Sequence, residues 1–190
     1  MSSGMLPSPR ALLIIGAACS ALAAVVGALG FPSESPDLRE GVVPWVFALL
    51  VAAVGMIVWG TFSSGIGLPR RLAGFGSHLS IVGVLIATGF FVTIGSLNVL
   101  GTDLLSSDES LMATIGTVVA SISCAVVLPV GLISFCVSVL ADSRLSLVAR
   151  CLPALGVLSG VLIFADDSLR TFVLLGGLFW AAFATVVVRR

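Results

Sequence analysis

The residues in this chain that could do chemistry are few, and they stand apart. There is one histidine, His78, four cysteines at Cys19, Cys124, Cys136 and Cys151, and two pairs of adjacent carboxylates, Asp108-Glu109 and Asp166-Asp167. A zinc or haem site needs several ligands brought together. His78 has no acid or cysteine close to it in sequence, and alone it cannot supply two axial imidazoles; it reads as a solvated or carbonyl-bonded group at a helix mouth. The cysteines fall inside apolar runs with no C-x-x-C spacing, which suits small buried hydrophobes, and a disulfide would need two helices to meet at the right depth. Intramembrane proteolysis calls for a serine with a buried histidine or a pair of aspartates, and neither pattern occurs. The serines Ser121, Ser123, Ser134 and Ser138 share one apolar run, where a hydroxyl mostly bonds its own helix four residues back. No glycine-rich phosphate loop follows a strand. The expectation is therefore no cofactor, no metal site and no enzymatic activity.

The elements that must carry these residues follow from the composition. Hydrophobic residues make up 58% of 190 positions and charged residues 9%, with a mean hydropathy of +1.24, against about 25% charged in soluble domains. No core in water hides so much apolar surface. The eighteen charges leave six long uncharged stretches, each long enough, or nearly so, to cross a hydrocarbon layer of about 30 Å. The chain reads as a single all-α transmembrane domain over residues 1–190, a polytopic bundle of six helices with short loops. The spans lie at about 11–30, 42–62, 78–100, 115–140, 147–165 and 171–188.

The loops alternate in sign. One side holds Arg10, Arg70, Arg71, Arg144, Arg150, Arg189 and Arg190 with Asp142 as its only acid, and the other holds Arg39 and Arg170 with eight acids. Basic residues near span ends mark the cytoplasmic face, so both termini are expected there, in a prokaryotic plasma membrane. The alternation also supports the count of spans, because a merged or invented helix would break it from that point on. A net charge of zero gives no reason to expect nucleic acid.

Local signals refine the spans. The first apolar run is longer than a signal-peptide core and reads as a transmembrane helix rather than a cleaved leader. Phe31 to Gly41 is expected to be an acidic connector, with Pro32 and Pro36 breaking any helix, and Ser63 to Ser77 a basic, glycine-rich turn. Trp45 and Trp59 bracket the second span as interfacial aromatics do. Pro129, near the middle of the fourth, predicts a kink. Arg150 lies inside the fifth and must snorkel toward the interface.

Packing residues are abundant. Small residues four apart let helix backbones approach, and the pairs Ala17 with Ala21, Ala23 with Gly27, Gly156 with Gly160, and Gly177 with Ala181 have that spacing. The Ala17 and Ala21 pair also resembles the small-residue motif by which vitamin-binding components of energy-coupling-factor transporters dock on their partner, and six helices in 190 residues fit that family. No substrate-contacting motif of any of its branches accompanies the resemblance. A sequence echo relates Val54-Gly55-Met56-Ile57 to Val130-Gly131-Leu132-Ile133, and Gly83-Val84-Leu85-Ile86 to Gly160-Val161-Leu162-Ile163. Two readings stand: a parallel duplication of the hairpin formed by helices 2–3 as helices 4–5, or chance in a chain built of few residue types.

Proton pumps and ion-coupled carriers keep ionisable side chains within their spans. With His78 and Arg150 near span ends and no ionisable side chain expected deeper, the leading functional reading is a non-enzymatic accessory or structural subunit, or a self-associating bundle, whose partners are the bilayer, other membrane subunits or further copies of itself. The alternative is a binding or transport component for a small neutral or apolar solute.

Overall fold

The computed structural model describes residues 7–29, 36–100, 118–159 and 168–190, with the backbone alone at 36–41, 97–100 and 168–170. It is all-helical, with no strand among the described residues. Among the described residues six helices follow in order: α1 (Pro9–Leu29), α2 (Pro36–Ser63), α3 (Arg70–Leu100), α4 (Val118–Leu140), α5 (Leu147–Leu158) and α6 (Ser168–Val188). Five are long and apolar enough to cross a membrane; α5, with 12 described residues, covers roughly 18 Å. The chain is a membrane protein by this measure.

Several boundaries differ from the expected ones for identifiable reasons. Helix α2 starts at Pro36, within the connector where Pro32 and Pro36 were expected to prevent helix, because proline suits the first helical turn, where its missing N–H would have no partner anyway. Helix α3 starts at Arg70, eight residues before the expected His78, so the basic turn shrinks to residues 64–69. Its glycines Gly74 and Gly76 lie inside the helix, where Gly76 serves packing rather than turning: a Cβ there would sit 2.5 Å from the Phe135 backbone nitrogen. Residues 160–165 of the expected fifth span, with Gly160 and the second half of the sequence echo, lie outside the described residues, as do 115–117 of the fourth.

Each helix packs on its neighbours in sequence, and α6 returns to lie along α1, so the helices close into a ring. The ring is filled. Helix α2 also reaches α6 across it, and Val46, Leu50, Val54, Ile57 and Val58 of α2 join Val173, Trp180 and Phe183 of α6 in one buried cluster with Leu13, Phe135 and Val139. In a bilayer, where lipid is as apolar as leucine, such contacts hold by close packing, and small residues permit the closest approach. On α1 the buried face is Leu13, Gly16, Ser20, Ala23, Ala24 and Gly27. A Cβ on Gly16 would lie 3.0 Å from the Ala53 carbonyl of α2, and one on Gly177 of α6 would lie 2.6 Å from the Ser20 carbonyl.

Helices α3 and α4 approach by the same means. A Cβ on Gly131 would meet the Ser80 backbone nitrogen at 2.5 Å, and one on Gly83 would meet Leu128. Gly55 packs against Val84. The echoed glycines Gly55 and Gly131 therefore both face α3, one from each side.

Just before Pro129, where a kink is expected, the helix takes a π turn over Ser123–Val127, with the Leu128 N–H donating to the Ser123 carbonyl. Proline cannot donate to the carbonyl four residues back and its ring crowds that group. Widening the preceding turn by one residue relieves both effects.

Candidate functional site

Two turns at the arginine-rich end of the bundle are joined through one buried carboxylate. Helix α2 ends in a Schellman arrangement: Gly65 has φ +82, its N–H bonds the Phe62 carbonyl at 3.0 Å, and the Ile66 N–H bonds that of Thr61 at 3.3 Å. Only a residue tolerant of positive φ closes a helix this way, which is why glycine stands there. Two residues on, Gly67 has φ +103 and is buried. The chain then passes through cis Leu68–Pro69 into α3.

On the other side α4 gives way to a turn over residues 141–146, and Ser146 caps α5 by accepting the Ala149 N–H at 3.3 Å. Asp142, in this turn, is completely buried. Its Oδ1 accepts the Arg144 backbone N–H at 3.1 Å and Arg144 Nε at 2.8 Å, and its Oδ2 accepts Arg144 Nη2 at 2.6 Å and the Gly67 N–H at 2.9 Å. Four donors occupy two oxygens, which is the full accepting capacity of a carboxylate. Arg144 Nη2 also donates to the Gly65 carbonyl at 2.8 Å, and the Leu68 N–H to that of Ser138 at 2.9 Å. Three hydrogen bonds thus cross between the turns.

The electrostatics follow from the geometry. The Arg144 guanidinium, the largest influence, holds the Asp142 carboxyl well below the usual carboxylate range, helped by the Gly67 amide and opposed by burial. The paired arginine is raised in turn, and its side chain stays 56% exposed. A charge-assisted bidentate pair of this kind is strong and directional, and it removes the cost of an unpaired buried charge.

Two more arginines at this end are held by carbonyls, one of them also by a ring. Arg70 Nη1 donates to the Phe62 carbonyl at 3.2 Å while its guanidinium lies 4.7 Å from the Phe62 ring centre. Arg150 Nη1 donates to the Leu140 carbonyl at 3.3 Å, so it reaches back to the end of α4, while its Nε is buried without a hydrogen-bond partner. His78 Nδ1 lies 2.7 Å from the Gly74 carbonyl, the carbonyl-bonded state expected of it.

The packing residues read from the sequence are distributed unevenly. Gly177 marks the closest approach of α6 to α1, but its partners are Ser20 and Ala24; Ala17 is half-buried against the core and Ala21 faces outward. Ala23 and Gly27 are buried. Gly156 is buried beneath Trp180, whose Nε1 a Cβ there would meet at 2.7 Å, and Ala181 is half-buried. All four cysteines are free thiols. Of the serines in the fourth apolar run, Ser134 donates four residues back and Ser138 three residues back, to Phe135, whereas Ser123 reaches the Gly83 carbonyl of α3 at 3.4 Å; elsewhere Ser77, Thr93, Ser96 and Thr185 each donate four residues back.

Sequence reasoning placed Asp142 only as a stray acid in a basic loop. The signal was that it is the one acid on a side with seven arginines. No protein-family model, curated protein or solved structure matches the chain.

Proposed function

We propose that this chain is a non-enzymatic integral membrane component, an accessory or structural subunit of a larger assembly or a bundle that associates with itself. The observation that carries this reading is the state of Asp142. The acidic side chain of Asp142, the only one described, has both oxygens saturated by donors of its own chain, so it ties two turns together and has no accepting position left for a metal ion or a solute. The apolar cluster filling the ring of helices supports the same reading.

The setting proposed is a prokaryotic plasma membrane, with both termini and the Asp142 turn in the cytoplasm, on the strength of the arginine distribution. Cysteine-accessibility labelling of the terminal segments against the 31–41 segment tests this orientation. For the role itself, purification in mild detergent with mass measurement is expected to show a partner chain or a homo-oligomer. A strictly monomeric particle that carries a bound small molecule would overturn it.

A second reading, a binding or transport component for a small neutral solute, draws on the buried hydroxyls of Ser20, Thr61, Ser80 and Thr88, which have no hydrogen-bond partner. A solute could satisfy such groups. Retention of a neutral polar ligand by the purified protein, lost on Ser80→Ala, would favour it over the first.

A further inference from the structure

The outward face of α3 is ordered like a lipid. Arg71, Phe75, His78, Val82 and Leu85 succeed one another at three- and four-residue spacing, and all are exposed. Residues so spaced share one helix face, so this face runs from cation through aromatic and imidazole to aliphatic in about 21 Å.

At its basic end the face meets α2 through a cluster built on one ring. Phe62 carries the Arg70 guanidinium at 4.7 Å from its centre and the His78 ring at 5.9 Å, inclined at 72°. Trp59, itself exposed, meets His78 edge-on at 5.5 Å and Phe62 at 5.8 Å. The bond from Arg70 Nη1 to the Phe62 carbonyl fixes the guanidinium and leaves its remaining N–H groups available. Because a carbonyl only accepts, Nδ1 of His78 carries the hydrogen toward Gly74, which leaves Nε2 for the surroundings. That nitrogen accepts a hydroxyl when the ring is neutral and donates to an anion when it is charged.

Charge complementarity names the occupant. Asp142 is the only acidic side chain described and Arg144 neutralises it, so among the described residues Arg70 and Arg71 meet no carboxylate. Cations at the membrane surface with an aromatic belt beside them suit an anionic headgroup. We propose that Arg70, Arg71 and His78 bind the phosphate headgroup of an anionic phospholipid, whose acyl chains run along Val82 and Leu85 with Trp59 at the level of the glycerol. This inference rests on the membrane assignment and is independent of whether the chain is an accessory subunit.

The test uses the full chain reconstituted in mixed phosphatidylglycerol and phosphatidylcholine, then released into detergent for native mass spectrometry. Phosphatidylglycerol is expected to stay bound in preference to phosphatidylcholine, and Arg70→Ala with His78→Ala to reduce its retention by about fivefold or more. The Arg189→Ala with Arg190→Ala variant, at the same end but outside the cluster, is expected to retain it. Should the first variant melt early, Arg71→Ala, at an exposed position on the same face, is expected to lose phosphatidylglycerol at unchanged melting temperature. Equal retention of the two lipids, retention indifferent to the cluster variants, or full displacement by excess inorganic phosphate would each overturn the proposal. The last outcome would mark a site for the free anion rather than the lipid.

Discussion

The Gly67 amide donates to the Asp142 carboxylate at 2.9 Å across 75 residues of sequence, and this bond joins the α2–α3 turn to the α4–α5 turn. Without it the two turns would be held by the Leu68 to Ser138 bond and by Arg144 reaching Gly65. Arg144 in turn is oriented by Asp142. The carboxylate therefore organises all but one of the links between the turns.

Asp142→Asn keeps the shape but replaces an acceptor oxygen with an amide that donates. In either orientation that amide faces the Arg144 guanidinium, donor against donor, and at the Oδ2 position it faces the Gly67 N–H as well. A loss of about 2–3 kcal/mol is expected, the range for hydrogen bonds to a charged group. Thermal unfolding in detergent should show it, together with faster hydrogen exchange at the Gly67 and Leu68 amides. An unchanged melt with unchanged exchange at both amides would contradict the role given to Asp142.

Acidity should act through the same group. The folded protein holds Asp142 below the ordinary carboxylate range, so its contribution to stability is complete above the unfolded value of about 4 and fades as the pH falls toward the lower folded value. The stability difference between the native chain and Asp142→Asn is expected to be constant through neutral pH and to narrow on strong acidification. A pH series of unfolding curves on both proteins measures it; a difference that widened toward acid would have the wrong sign.

The two glycines of the α2–α3 turn should respond unequally to alanine. Both have positive φ, which costs an L-residue about 1–2 kcal/mol. At Gly65 nothing lies within 4 Å of a new Cβ, so the backbone term acts alone. At Gly67 the Cβ would also come within 3.0 Å of Ser138 Oγ and Ala73 Cβ, and it would push the amide away from Asp142. Gly67→Ala is thus expected to lower the melting temperature more than Gly65→Ala, and equal effects would remove the argument from crowding.

Spans were legible in the sequence because membrane helices must be apolar and long, and that condition is written residue by residue. Helix α1 and the apolar part of α2 lie within a residue or two of the expected limits. Glycine was the misleading letter. Gly74 and Gly76 read as turn residues, yet both sit in α3, and at Gly76 α4 passes too close for a side chain; the same residue type serves a turn and a tight contact, and only the neighbouring helix decides between them. The α1 stripe slipped for a related reason. Ala17 and Ala21 have the right spacing, but Gly16, Ser20, Ala23, Ala24 and Gly27 form the buried face, and an apolar helix with small residues on several sides does not announce which face turns inward. Asp142 was counted correctly as an exception among arginines, but its partner across the clasp is a backbone amide, which no side-chain pattern can reveal.

The α1–α6 seam gives the clearest contrast between glycine as contact and glycine as spectator. At Gly177 an added methyl would lie 2.6 Å from the Ser20 carbonyl and 3.0 Å from the Ala24 nitrogen. Those are backbone atoms of a helix and cannot rotate aside, so α1 and α6 must separate along their most extensive contact. Gly177→Ala is expected to cost about 1–3 kcal/mol, as overpacking in a close-packed interior does. Gly89, on the exposed face of α3, has nothing within 4 Å of the same methyl. There alanine removes only the conformational freedom of glycine, so Gly89→Ala should be neutral or gain up to about 0.5–1 kcal/mol. Paired melts of the two variants decide the matter. If Gly177→Ala proved as harmless as Gly89→Ala, α6 could not pack on α1 through Gly177, and the closure of the ring would have to be redrawn.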